Sequence, residues 1–112
     1  MLLYFVDEAD ERPPEIFDDA REALGSWLAE HERRGVLIAG ERLRPVAEAT
    51  TLSVRDGETL IADGPFAETK EQVAGFDLIE CADLDEAMAI AAGHPAARLG
   101  SVEIRPVWPI PE

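Results

Sequence analysis

The stretch DGPFAETKE, Asp63–Glu71, carries the strongest fold information in this chain. Asp is favoured where a turn begins, Gly permits a positive φ, and Pro fixes φ and cannot donate to a sheet ladder. A strand predicted at Glu58–Ala62 therefore ends here, and a stiff loop follows. The loop presents Phe66 and Lys70 together, and binding residues are often carried on loops that a rigid scaffold positions.

Strands are predicted on both sides of this loop. Asp56-Gly57 separates Ala49–Arg55 from Glu58–Ala62, and Asp-Gly between two alternating apolar segments is the strongest short signal for a β-hairpin. Val73–Cys81 is the next apolar run, and its length fits a further strand. The loop therefore joins a hairpin to a longer strand.

A long helix is predicted before the hairpin. Pro13-Pro14 opens it, since proline is tolerated in the first turn, and Gly35 is placed to end it. Gly25 lies inside the helix at a cost of about 1 kcal/mol relative to Ala, which a close packing contact or a nearby ligand would explain. His31 is expected on the helix surface or partly packed. One apolar stripe follows the helix at spacings of three and four: Ile16, Ala20, Leu24, Trp27, Leu28 and His31.

A second, shorter helix is predicted after Asp83. Asp83 is placed as the N-terminal cap with Glu86 three residues later, and Gly93 and Pro95 end the helix. Its buried face is predicted to carry Leu84, Ala87, Met88 and Ala91.

The order of these elements predicts an α+β fold. Further strands are expected at Leu2–Val6, Val36–Ala39 and Ser101–Val107, giving the order β, α, β, hairpin, β, α, β. Two helices packed on one mostly antiparallel sheet favour a ferredoxin-like βαββαβ sandwich with an inserted hairpin. Two helices cover only one face of this sheet. We expect the other face to pair in a dimer around a cleft lined by charges; an exposed polar face on a monomer is the alternative.

Composition restricts the partners of this chain. Its 112 residues suit one domain, 1–112, with an apolar fraction of 46%. The net charge of −14 argues against nucleic acid and against anionic membrane surfaces. No apolar run approaches the roughly 20 residues that span a bilayer, and Leu2–Val6 has no basic segment before it, so it is interpreted as a strand and not as a signal peptide. A cytoplasmic location is expected.

No cofactor or metal is predicted. The single Cys81 excludes an intrachain disulfide and a cysteine-based metal motif. The two histidines, His31 and His94, are far apart in sequence, which makes a zinc site improbable. The glycines do not have the spacing of a phosphate-binding loop.

Five motifs together resemble the YCII-related (DGPF) family, and the resemblance covers nearly the whole chain. They are Gly40-Glu41-Arg42-Leu43, Asp63–Glu71, Gly75-Phe76, His94-Pro95-Ala96-Ala97-Arg98 and Gly100–Val107.

The resemblance implies a ferredoxin-like subunit, a homodimeric α/β barrel and a bacterial, cytoplasmic setting. Genes of this family often lie beside those for extracytoplasmic-function sigma factors, and its barrel relatives include small isomerases, lyases and monooxygenases that work without metals. YCII-type members are thought to use a His and Asp pair in a cleft. Family members commonly carry a His in the first helix, where this chain has Leu24 and Gly25.

Two residues are the catalytic candidates. His94 follows the capping Gly93; it either complements the helix dipole or acts as a general acid or base, because its side chain titrates near neutrality. Asp63 either accepts hydrogen bonds from backbone N–H groups in its turn or pairs with His94 and orients it.

Four more residues are candidates for binding a substrate. Phe66 is predicted either in the core or in a cleft wall. Lys70 either forms an exposed ion pair with Glu68 or lies at a cleft mouth and receives an anionic substrate. Arg42 and Arg105 are further cations that suit a carboxylate ligand.

Two functions follow from these expectations. The first is a dimeric protein that binds a small anionic organic molecule in a cleft, with cofactor-free acid–base chemistry of the lyase, isomerase or hydrolase type. The alternative is a non-catalytic ligand-sensing or accessory protein, linked to regulation by extracytoplasmic-function sigma factors.

Overall fold

The computed structural model describes residues 1–111. The strands and the two predicted helices follow one another in the predicted order. The structure adds one short 3₁₀ turn at Val46–Glu48 and one short helix near the C-terminus. The strands are β1 (Leu2–Val6), β2 (Leu37–Arg42), β3 (Thr50–Arg55), β4 (Glu58–Asp63), β5 (Gln72–Ile79) and β6 (Ser101–Ile104). The helices are α1 (Pro14–Arg33), α2 (Leu84–Ala92) and α3 (Ala96–Leu99).

The main sheet has four strands in the order β2-β5-β1-β6, and every neighbouring pair is antiparallel. The two central strands, β1 and β5, come from distant parts of the chain. With the hairpin set aside, this is the strand order of a ferredoxin-like sheet. The predicted α+β, ferredoxin-like fold with an inserted hairpin is confirmed.

The inserted hairpin forms a second sheet from β3 and β4. Asp56 and Gly57 have φ values of 53° and 78°, so both turn residues adopt the left-handed conformation that a tight hairpin requires. Gly64 follows β4 with φ 97°, and its N–H donates to the carbonyl of Ala49 at 2.8 Å. The turn residues of the DGPF stretch thus end the strand as predicted.

The end of α1 and the start of α2 lie where the sequence predicts them. Gly35, with φ 71°, follows the last turn of α1. The carboxylate of Asp83 accepts a hydrogen bond from the N–H of Glu86 at 2.9 Å, which is the predicted cap of α2. The Glu86 carboxylate reaches back to the N–H of Ala82 at 3.3 Å.

The hydrophobic core lies between the main sheet and the helices. Leu2 is completely buried, and Tyr4 of the same strand packs with Trp27 of α1 and Ile90 of α2. The indole N–H of Trp27 donates to the carbonyl of Ile90 at 2.9 Å, which joins the two helices.

Strand register decides which residues face this core. Leu2 pairs with Asp77, and Gly40 pairs with Asp77 from the other side, so these positions share the helix-covered face. The opposite face carries Leu3, Phe5, Phe76 and Leu78, which are only half-buried in the single chain. The sheet face that the helices leave open thus carries apolar side chains.

Some details of the helices differ from prediction. His31 is buried, because it packs beside Trp27 with ring centroids 4.5 Å apart. Leu84 and Met88 are exposed instead of buried; α2 turns Ala87, Ile90 and Ala91 to the core. A Cβ at Gly25 would meet no atom within 4 Å, so a close packing contact does not explain this glycine.

Strand ends also shift. β2 continues to Arg42 because Arg42 still pairs with Gly75 of β5, whereas β6 stops at Ile104, before Pro106.

In residues 1–111 no helix has both the length and the apolar character to cross a membrane.

Candidate functional site

A hydrogen bond between two buried polar side chains lies at the centre of the helix-covered face. The Tyr4 hydroxyl donates to Asp77 Oδ2 at 2.5 Å. Both side chains come from the central strands, and Asp77 is only 6% exposed. Buried carboxylates are rare without a partner, and here the phenol is that partner.

A glycine makes room for this carboxylate. Gly40 is the register partner of Asp77 on β2, and a Cβ at Gly40 would collide with Asp77 Oδ1. A side chain at this position would therefore displace the carboxylate. Gly75 is similarly crowded, since its Cβ would lie 3.0 Å from the carbonyl oxygen of Glu41.

His94 is held against the same tyrosine. It follows the last turn of α2, and its ring stacks on that of Tyr4 with centroids 3.9 Å apart and an angle of 16°. The Trp27 ring packs edge-on against the imidazole, with ring centroids 4.8 Å apart. The rings fix the imidazole in one position.

The hydrogen bonds of His94 determine which nitrogen carries its proton. Nδ1 accepts from the N–H of Ala96 at 3.0 Å, so the neutral ring carries its hydrogen on Nε2. Nε2 has no partner among residues 1–111, and no fully buried side-chain nitrogen or oxygen there lacks one. The Nε2–H group is therefore not fully buried.

The same reasoning applies to Asp77 Oδ1. Within residues 1–111 its carboxylate accepts only the Tyr4 hydroxyl, at Oδ2, and no buried oxygen is unpartnered. Oδ1 is thus also not fully buried. A donor and an acceptor from different elements are left available around one tyrosine.

Burial changes the titration of all three groups. It lowers the pKa of His94 to about 4, so the imidazole is neutral at pH 7. Burial raises the pKa of Asp77, and the hydrogen bond from Tyr4 opposes that change only in part. Burial, and then the bond to Asp77 and its negative charge, raises the pKa of Tyr4 far above its usual range, so the phenol keeps its proton.

These groups line a cleft of about 310 Å³ between α1 and the sheet. Leu24 and Leu28 of α1 form its apolar wall opposite Tyr4 and Asp77. Arg42, at the end of β2, also lines it and forms no salt bridge with any residue of the described range 1–111. An apolar cleft with a few polar groups directed into it is the usual form of a small-molecule site.

This cleft lies on the helix-covered face, because register places Leu2 and Tyr4 inward. The charged dimer cleft expected on the uncovered sheet face stays a prediction. Burial lowers the pKa of His94, which works against the suggestion that this ring complements the α2 dipole as a cation.

The chain does not bring Asp63 to His94. Asp63 is the exposed last residue of β4, where it pairs with Thr50, and it does not line the cleft. The carboxylate that shares the cleft with His94 is Asp77. Phe66 is 91% exposed, so its placement in the core is wrong; it borders a separate groove beside Leu43.

Two predicted cations also lie elsewhere. Arg105 is on the surface and pairs with Glu103 at 3.0 Å. Lys70 is exposed and borders a shallow depression with Asp7 and Glu8. Of the four predicted binding residues, Arg42 alone lines the cleft with His94.

Sequence reasoning missed Tyr4 and Asp77. A signal for Asp77 exists, because it is a single carboxylate between Phe76 and Leu78 in an apolar strand. A second signal is Gly40, a glycine inside another strand, which marks a close approach by a neighbouring group.

No cluster of three or more His, Cys, Asp or Glu side chains is placed to hold a metal ion within residues 1–111. The cleft itself offers one imidazole nitrogen and carboxylates.

One family model and one relative match this chain. The sequence model of the YCII-related domain matches residues 1–111. An uncharacterized protein of Rhizobium meliloti (strain 1021) is 53% identical over 86 residues, which cover 75% of this chain and 69% of that protein.

Proposed function

This chain belongs to the YCII-related domain family, and on that basis we propose that it binds a small organic anion in the cleft beside His94 and carries out cofactor-free acid–base chemistry there. One observation carries the proposal. The buried Tyr4 contacts two other buried titratable side chains, Asp77 and His94, and each of these two keeps one polar atom that has no partner in residues 1–111 and is not fully buried.

Packing alone gives no reason for such an arrangement. A carboxylate buried between Leu2 and Gly40 opposes folding, and an apolar side chain would fill this space at lower cost. Perturbed titratable groups in a cleft are characteristic of functional sites. The neutral imidazole and the raised carboxyl pKa bring an acid and a base into one place, as acid–base enzymes require.

Arg42 supports an anionic ligand. Its guanidinium has no ion pair within residues 1–111, although the chain carries a net charge of −14. A planar guanidinium binds carboxylates through two parallel hydrogen bonds. The acidic surface would repel anions in general, so we expect recognition to depend on this one contact.

The homodimer predicted from the family resemblance is part of the same proposal. Leu3, Phe5 and Phe76 form an apolar strip on the sheet face that the helices leave open. Pairing of two such faces in a dimeric α/β barrel would remove this strip from water. A bacterial cytoplasmic setting, with acid–base chemistry of the lyase, isomerase or hydrolase type, completes the proposal.

The alternative is a non-catalytic sensor or accessory protein, associated with sigma-factor regulation. Leu24 favours it, because this residue forms the cleft wall in the helix where relatives commonly carry a histidine. Such a protein would keep the binding pocket and lose the reaction.

A ligand titration tests the proposed function. Amide resonances of isotope-labelled protein would be followed by NMR as 2-oxobutyrate, a small carboxylate, is added. We expect shifts around Tyr4, Asp77 and His94. Arg42→Ala should weaken binding about 10-fold or more, the range for a lost charged hydrogen bond.

Arg55→Ala is the matched control. Arg55 is an exposed arginine of the β3–β4 hairpin, outside the cleft. The control should bind as the parent does. Shifts confined to other regions, or equal weakening by both variants, would contradict the proposal.

A further inference from the structure

We propose that Asp77 is the base, and the Nε2–H group of His94 the hydrogen-bond donor, of a proton transfer at a carbon next to a carbonyl, which makes small 2-oxo or 3-oxo carboxylates the substrate class. This inference rests on the proposed function and makes its chemistry specific. It is carried by the two atoms beside Tyr4 that are not fully buried.

The donor is suited to an enolate oxygen. His94 Nδ1 is occupied by the Ala96 N–H at 3.0 Å, so only Nε2–H remains to meet a ligand. A neutral imidazole that donates from a partly buried position stabilises negative charge that develops on a carbonyl oxygen. Tyr4 and Trp27 clamp the ring, which fixes the direction of this donor.

The base is suited to taking a proton from carbon. Asp77 lines the cleft, and the Tyr4 hydroxyl holds one oxygen at 2.5 Å while Oδ1 is not fully buried. Gly40 leaves no side chain between this carboxylate and β2. Because burial raises the pKa of Asp77 towards working pH, its carboxylate is a stronger base than an exposed aspartate.

The step balances without another reactant. The C–H bond breaks and its proton goes to the Asp77 carboxylate. The electron pair forms the carbon–carbon double bond of an enolate, whose oxygen accepts a hydrogen bond from His94. Return of a proton from Asp77 to that carbon restores the carbonyl compound, with inversion or hydrogen exchange as the outcome.

The cation of the cleft fits the same substrate class. Arg42 would receive the carboxylate, while α1 contributes the apolar Leu24 and Leu28; Glu41, the other charged lining residue on β2, is an anion and does not bind it. A carboxylate and a carbonyl in one small molecule match the single cation and the single neutral donor. A substrate without the carbonyl would leave the His94 donor unused.

Exchange of hydrogen for deuterium tests the inference. The C3 hydrogens of 2-oxobutyrate would be followed by proton NMR in D₂O, with parent protein, Asp77→Asn, His94→Asn and Tyr4→Phe. The parent should accelerate exchange at least 100-fold over buffer, and Asp77→Asn should lose about 100-fold or more of this rate, as is usual for a general base. His94→Asn should lose about 10- to 1000-fold.

Asp85→Asn is the matched control, because Asp85 is an exposed carboxylate in the first turn of α2. It should exchange as the parent does. In Tyr4→Phe the pH at which the exchange rate rises should be higher, because the Tyr4 hydroxyl lowers the pKa of Asp77. If Tyr4 had only a structural role, the pH profile of the exchange rate would not move.

The outcomes separate this inference from the proposed function. If 2-oxobutyrate shifts the cleft resonances but the parent exchanges no faster than Asp77→Asn, the assignment of base and substrate class is wrong and the binding function stands. If no cleft resonance shifts, the proposed function fails as well. Gly40→Ala, which displaces the carboxylate but keeps it in the chain, should reproduce the loss seen with Asp77→Asn; retention of exchange would overturn the role of Asp77.

Discussion

Tyr4 donates its hydroxyl hydrogen to Asp77 across 2.5 Å, and this bond joins the two central strands of the sheet. The same phenol ring stacks on His94. Tyr4 therefore positions both Asp77 and His94 in the cleft. A substitution at any of these three residues should affect the other two.

Asp77→Asn should stabilise the protein at neutral pH. The amide oxygen can still accept from Tyr4, while the cost of a buried charge disappears, so we expect the free energy of unfolding to rise by about 1 kcal/mol at pH 7. Urea unfolding measures this change.

The pH dependence of that gain has a definite sign. Because burial raises the pKa of Asp77 above its ordinary 3.8, the native state holds the proton more tightly, and stability is lost as pH rises through the native pKa. The gain should thus be absent at about pH 3 and grow above it. A variant less stable than the parent at pH 7 would contradict the account.

Tyr4→Phe should have the opposite effect. It leaves the Asp77 carboxylate buried without its donor, which costs about 1–3 kcal/mol of unfolding free energy. A double-mutant cycle with Asp77→Ala, which removes the acceptor, isolates the pair. If Tyr4→Phe costs the same in the parent and in the Asp77→Ala background, the hydrogen bond does not contribute to stability.

Gly40→Ala and Gly25→Ala make a matched pair of substitutions. The added Cβ collides with Asp77 Oδ1 at Gly40 but meets nothing within 4 Å at Gly25. We expect Gly40→Ala to destabilise by about 1–3 kcal/mol through overpacking, and Gly25→Ala to stabilise α1 by about 1 kcal/mol. Thermal and urea unfolding compare the two. Equal changes in stability for the two variants would show that the contact between residue 40 and Asp77 does not determine the effect of an added Cβ.

Acid should weaken the fold partly through His94. Its native pKa of about 4 lies below the ordinary 6.5, so between these values the unfolded chain binds more protons and stability falls as pH falls. We expect this to cost about 2 kcal/mol, less than the full shift because the ring borders a cleft reached by solvent. Asp77 changes stability in the opposite direction, whereas Tyr4 stays protonated here.

His94→Asn provides the control for that dependence. The asparagine oxygen can accept from Ala96 as Nδ1 does, and it does not titrate. The difference in stability between parent and variant should therefore change between pH 6.5 and 4. A difference that stays constant over this range would show that the buried imidazole does not titrate as described.

Local rules were sufficient for much of the fold. The Asp56-Gly57 turn, the Asp83 cap and the Gly35 helix end each depend on a few neighbouring residues, and all three appear where the sequence predicts them. These signals fix the element order, and the order leaves few ways to arrange four strands.

The cleft depends on contacts that local rules do not describe. Tyr4 meets Asp77 only because β1 and β5 pair in one register, with a bulge after Tyr4, and His94 joins them only when α2 packs on the sheet. The family resemblance directed attention to Asp63, which does not line this cleft. Burial of His31 likewise follows from packing beside Trp27.

The titration of His94 by NMR, on protein with labelled histidine and with His94→Asn to identify the signal, tests the central claim most directly. The account predicts a pKa of about 4, a proton on Nε2 at pH 7, and a shift of the Nε2–H signal when 2-oxobutyrate is added. An imidazole that titrates near the ordinary 6.5 and does not respond to 2-oxobutyrate would contradict it.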